Sequence, residues 1–110
     1  MAEKQLVING TQIRVRYSEM TREMEEKLIA QSIVLAEEDK RASGVVDDKR
    51  LATAIREFLT KAEEFGGAEA TAWHVVVGLN FVCSLKHESK SLLFFDIVDH
   101  HKSVLAFRSG

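Results

Sequence analysis

The stretch Ala72-Trp73-His74-Val75-Val76-Val77-Gly78-Leu79-Asn80-Phe81-Val82-Cys83-Ser84-Leu85-Lys86-His87-Glu88-Ser89-Lys90 decides the fold of this 110-residue chain. Two runs rich in β-branched and aromatic residues flank a break at Gly78-Leu79, and the polar residues from His87 onward close the second run. The spacing predicts strands over residues 72–77 and 80–86. In the second, Phe81, Cys83 and Leu85 alternate with more polar neighbours. Such a short, bounded, alternating run suits an edge strand whose amides accept an added strand, and it suits an ordinary strand inside a sheet equally well.

Downstream, apolar runs predict strands over 92–98 and 103–108, separated by a polar turn at 99–102. Upstream, the periodicity becomes helical. Thr21 and Ser18 are candidate caps for a helix over 21–41, with Glu23, Glu25 and Glu26 in its first turns, where carboxylates complement exposed amides. Met24, Leu28 and Leu35 line one edge of its apolar arc and Ile29, Ile33 and Ala36 the other. Lys40, Arg41 and Gly44 suit its end. Asp47 or Asp48 caps a second helix, in which Leu51, Ile55, Phe58, Leu59, Ala62 and Phe65 form one stripe ending at Gly66-Gly67. Before the helices, Asn9-Gly10 favours a tight hairpin turn, and Gln12 to Tyr17 reads as a strand. There Ile13, Val15 and Tyr17 point one way and Arg14 and Arg16 the other. The piece from Leu6 to Ile8 is short enough to fray. The order β, α, α and then four β runs predicts an α+β fold, an antiparallel sheet covered by two helices, in a single domain of residues 1–110 whose first eleven residues are an extension.

Composition narrows the function. With 45% hydrophobic residues, a chain of this length buries roughly two thirds of its unfolded surface without needing disulfides or metal. The single cysteine and the lack of an N-terminal signal favour a reducing, cytosolic setting. No apolar run reaches the ~20 residues of a membrane span. A formal charge of -2 offers no basic field for nucleic acid or anionic membrane. Catalytic signatures are weak. Cys83 reads as a small hydrophobe on a strand, with no base placed to activate it. Asp96, Asp99, His100 and His101 cluster near a turn, yet adjacent histidines on an extended backbone point apart, so a solvated hairpin is the expected reading and not a metal site. No phosphate-binding glycine loop or nucleophile elbow is present, and no cofactor or enzymatic activity is expected.

Trp73-His74, Val77-Gly78, Asn80-Phe81, His87-Glu88 and Lys90 at these gaps, with Phe107-Arg108-Ser109-Gly110 at the end, resemble the smallest class of dynein light chain. The resemblance runs from Gln12 to Gly110. It implies two helices on a five-stranded antiparallel sheet, and a two-fold dimer in which residues 80–86 cross to the partner's sheet. It further implies a groove between that crossing strand and the second helix of the other subunit, where an extended client adds as a strand. Carried onto this sequence, the groove comprises Lys49, Asn80, Phe81, Val82, Cys83, Ser84, Leu85, Lys86, Leu92, Phe94, Asp96 and Ala106. The implied dimer interface comprises His74, Asn80, Phe81, Ser84, His87 and Ser109. Implied partners are dynein intermediate chains and a second light chain, either the same or related, in the cytoplasm, on the cytoskeleton or in an axoneme. A stand-alone regulatory or inhibitory adaptor using the same groove on non-dynein clients is the alternative. The family pattern has glycine at Val82, threonine at Lys86 and tyrosine at Asp96. These departures, with additional residues between the helices, before Trp73 and in the last hairpin, imply a specialised, axonemal paralogue with its own client preference.

Overall fold

The computed structural model describes residues 3–66, 73–79, 81 and 92–108. Two helices cover one face of an antiparallel sheet. The chain runs β1 (Lys4–Ile8), β2 (Thr11–Ser18), α1 (Arg22–Ser43), α2 (Asp48–Lys61), β3 (Trp73–Leu79), β4 (Leu92–Ile97) and β5 (Lys102–Arg108), and the strands lie in the order β1-β2-β4-β5-β3. The expected α+β class therefore holds, with five strands. The expected strand at 80–86 lies outside the described residues apart from Phe81, and the fifth strand seen is β1, around the piece from Leu6 to Ile8 that is short enough to fray.

That piece is held from two sides. Asn9 and Gly10 both take positive φ, 50° and 76°, as a two-residue hairpin turn requires, and β1 then pairs with β2 from Lys4↔Val15 to Ile8↔Thr11. At its far end Lys4 meets buried Glu25 of α1. The ammonium donates to Oε2 at 3.2 Å and lies 2.8 Å from Oε1, too oblique for a second hydrogen bond.

Both helices form where their caps place them. Thr21 Oγ1 accepts from the Met24 amide at 3.2 Å, and α1 ends on Gly44 in the left-handed region. Asp47, not Asp48, caps α2 by accepting from the Arg50 amide. The second helix is shorter than its apolar stripe: it closes at Lys61, and Phe65 sits on a separate 3-10 turn, Glu63–Phe65. From there its carbonyl accepts the Trp73 indole N–H at 2.9 Å, and its ring meets Trp73 edge-on at 6.0 Å. This contact seats the start of β3 beneath α2.

The core lies between helices and sheet. Ile13, Val15, Leu28, Ile29, Ile33, Leu51, Ile55, Leu59, Phe65, Trp73, Phe95 and Val104 are each essentially inaccessible. Gly78 and Leu79, expected to break the chain, instead extend β3 and pair with Ser103 and Lys102. Both strands of the last hairpin also shift slightly: β4 stops at Ile97, Val98–His100 form a 3-10 turn, and β5 starts at Lys102.

One irregularity reorganises the outer face. Opposite β4, Val15 pairs with Phe95 but Tyr17 pairs with Phe94, so Arg16 is an extra residue on β2. Beyond this bulge the alternation inverts. Tyr17, expected to share a face with Ile13 and Val15, joins Leu92, Phe94, Leu105, Phe81 and Phe107 in a second apolar cluster on the side away from the helices.

Candidate functional site

The implied groove residues fall on both faces of the sheet. Lys49 is exposed on the first turn of α2. Ala106 is fully buried on the helix-covered face, within the main core. Leu92, Phe94 and Asp96 line the opposite face of β4, and Phe81 stacks on Phe94 with ring centroids 5.3 Å apart. The structure thus gathers Phe81, Leu92 and Phe94 into one surface, with Asp96 further along the strand, and separates them from Ala106. His74 also lies on that outer face, exposed, stacked on Phe107 at 5.1 Å. Asn80, Val82, Cys83, Ser84, Leu85, Lys86, His87 and Ser109 lie outside the described residues.

The densest polar arrangement on this face centres on Asp96. A carboxylate that is 2% exposed must be neutralised or fully hydrogen-bonded. Here both happen. Arg14, directly opposite in the register, donates from Nε to Oδ2 at 2.8 Å, with Nη2 2.7 Å from the same oxygen. Arg16 donates from Nε to that oxygen at 2.8 Å and lays its guanidinium 5.2 Å from the centre of the Phe94 ring. Ser103, opposite Asp96 on β5, donates to Oδ1 at 2.6 Å. Burial alone would raise the carboxyl pKa, but the hydrogen bonds from Ser103, Arg16 and Arg14 outweigh it and hold Asp96 below the ordinary carboxylate value.

The sequence singles out Asp96 but neither arginine nor Ser103 as part of the site. The available signal was a lone carboxylate in the apolar run Leu92-Leu93-Phe94-Phe95-Asp96-Ile97, which demands partners. Its arginine partners lie 82 and 80 positions away, and only strand register brings them together. Beside this cluster a cavity of about 560 Å³ opens over the outer face, walled by Leu6, Val7 and Val98, with Gln5, Gln12, Ile13, His101, Arg14, Arg16 and Asp96 completing it. Asp99 and His100 stay in the 3-10 turn. Among the described residues no three His, Cys, Asp or Glu side chains converge to hold a metal, and no helix is long and apolar enough to cross a membrane.

At the other edge, β3 is the outermost of the described strands, pairs with β5 from Trp73↔Arg108 to Leu79↔Lys102, and lies under α2. Lys102 Nζ reaches Asp48 Oδ1 at 2.6 Å, tying the start of β5 to the first turn of that helix. The chain leaves β3 at Leu79 and passes directly into residues 80–86.

No curated protein matches the chain. The profile of one family, described as dynein light chain type 1, matches residues 12–109, which leaves β1 outside the matched region. That family comprises non-catalytic structural and adaptor proteins associated with dynein motor complexes in the cytoplasm and on the cytoskeleton. Two helices on one face of an antiparallel sheet and a family match over most of the chain agree with one another: the chain belongs to the dynein light chain family.

Proposed function

We propose that the chain acts as a dimeric light chain that grips extended segments of dynein intermediate chains by strand addition and thereby promotes motor assembly. Residues 80–86 of one copy lie beside β3 of the other, and the client adds to that crossing strand in the groove bordered by α2. The partner in the dimer is a second copy or a related light chain, in cytoplasmic or axonemal dynein. One observation carries the reading: β3 is the outermost of the described strands, α2 lies over it, and the chain runs from it straight into the alternating segment 80–86. A strand ladder supplies main-chain affinity, and a two-fold dimer adds avidity because the second capture is effectively intramolecular.

Ser84→Pro tests this, since proline removes a ladder donor and restricts the backbone. Sedimentation and binding to intermediate-chain peptides should both be impaired. Parental dimerisation together with parental affinity in this variant would remove residues 80–86 from the function.

A further inference from the structure

The Asp96 cluster carries an excess of positive charge, because two guanidinium groups face one carboxylate. Each guanidinium has five N–H donors. Asp96 lies against Nε and Nη2 of Arg14 but only Nε of Arg16, and among the described residues the remaining N–H groups of the pair have no protein acceptor. Arg16 is held in place by its stack on Phe94, and its side chain is only 15% exposed. Both arginines face the cavity between the β1-β2 hairpin and the start of the β4-β5 turn, whose volume falls in the range of ordinary ligand sites. Its mouth carries two exposed apolar side chains, Val7 and Val98, 68% and 40% accessible. A bare anion would leave these wet. An acidic residue within a peptide would cover them with its methylenes and its neighbours while its carboxylate met the guanidinium forks.

We propose that this cavity binds the carboxylate of an aspartate or glutamate side chain in an extended client, making Arg14 and Arg16 determinants of client choice. The inference rests on the strand-addition reading above for its client, though the cavity itself does not depend on residues 80–86. It also reverses the sign that Asp96 alone suggests. A lone acid in the groove would attract a basic group; with its charge already met by two arginines, the same position presents a cation.

The test uses the full chain and the side-chain Nε–Hε resonances of Arg14 and Arg16. Acetyl-Gly-Glu-Gly-amide should shift both signals at millimolar concentration, and acetyl-Gly-Gln-Gly-amide should bind at least about tenfold more weakly, the scale of a charge-assisted hydrogen bond. Equal effects of the two peptides, or equal binding of inorganic phosphate, overturn the proposal. So do signals that move only on diluting the protein, which would mean that a second copy fills the cavity. In the client arm, extended peptides selected on the protein should carry Asp or Glu at one fixed position. Its exchange for Asn or Gln should cost about tenfold, and that dependence should vanish in Arg14→Gln and partly persist in Arg14→Lys. Should Arg14→Gln prove too unstable, the peptide comparison on the parent protein still decides. Clients that bind in a Ser84→Pro-sensitive manner with no acidic preference would refute the cavity and leave the groove reading standing. Glutamate-specific shifts without Ser84→Pro-sensitive clients would do the reverse.

Discussion

Replacing Asp96 with asparagine keeps the volume of the side chain and removes its charge, leaving Arg14 and Arg16 side by side without a counter-ion. Asparagine has one acceptor oxygen, and its amide, turned toward either Ser103 or the arginines, sets donor against donor. Breaking a fully buried ion pair by removing one partner costs roughly 3–5 kcal/mol. Exposure reduces that here. The Asp96 side chain is 3% accessible and that of Arg16 15%, but that of Arg14 is 40% accessible, so its share approaches that of a surface pair. A loss of about 2–3 kcal/mol is expected. Unfolding entropy of about 2.1 cal/mol/K per residue makes each kcal/mol worth about 4 °C in a chain of this size, so Tm should fall by roughly 10 °C at neutral pH. The assay is thermal unfolding followed by circular dichroism at matched protein concentration, because any self-association makes Tm concentration-dependent. The pH profile supplies a second check. Because the folded pKa of Asp96 is depressed, its contribution is complete above the ordinary value of 3.8 and is lost as pH falls through the folded value. The gap between parent and Asp96→Asn should close over that acidic range. A drop below about 2 °C at neutral pH, or a gap that persists unchanged under acid, would refute the electrostatic account.

Three further outcomes follow from other contacts. Lys4→Met strands the buried Glu25 carboxylate and should cost about 1–2 kcal/mol in urea unfolding, whereas the Lys4→Met/Glu25→Met pair should recover part of it; a double variant less stable than Lys4→Met shows that the ion pair does not anchor β1. In Gly78→Ala the added methyl would sit 3.1 Å from Phe81 Cδ2, so the variant should lose up to about 1 kcal/mol, with non-additivity toward Phe81→Ala; a stabilised variant means that the ring does not pack there. Tyr17, the sole tyrosine, donates to Glu19 at 2.7 Å, and this bond, then burial and the neighbouring charge, raise its phenol above the ordinary 10.0. Ultraviolet titration should show that elevation and its reduction in Glu19→Gln, and identical curves for the two proteins would discount the contact.

What the sequence makes legible here is whatever depends on near neighbours. Thr21, Asp47 and Gly44 act within a few residues of themselves, so those three helix ends could be read directly, as could the hairpin at Asn9-Gly10; the end of α2, read at Gly66-Gly67, lies at Lys61. The stripes of Leu28, Ile29 and Ile33 and of Leu51, Ile55 and Leu59 likewise name their own buried faces. What escaped depends on distant partners. The strand from Lys4 is tied at its far end by Glu25, 21 positions away; Gly78 and Leu79 stay extended because β5 offers Ser103 and Lys102 as partners. At the candidate site the family resemblance placed Leu92, Phe94 and Asp96 in one set with Ala106, whereas alternation along β5 puts Ala106 on the other face. The arginines were legible as an outward-facing pair and illegible as partners of Asp96, since no local pattern encodes the pairing of β2 with β4.

The extra residue in β2 behaves like a frameshift written in space instead of in codons. Upstream of Arg16, odd-numbered side chains face the helices; downstream, Tyr17 faces away from them, and Ser18 turns inward opposite Leu93, where its hydroxyl accepts from the Met20 amide. Deleting Arg16 would therefore close the bulge and leave the later positions where they are, with Tyr17 opposite Phe94 on the outer face and Ser18 opposite Leu93 on the inner one. Moving the extra residue along the strand is the costly change, because every position between its old and new places would be transposed from one face of the sheet to the other.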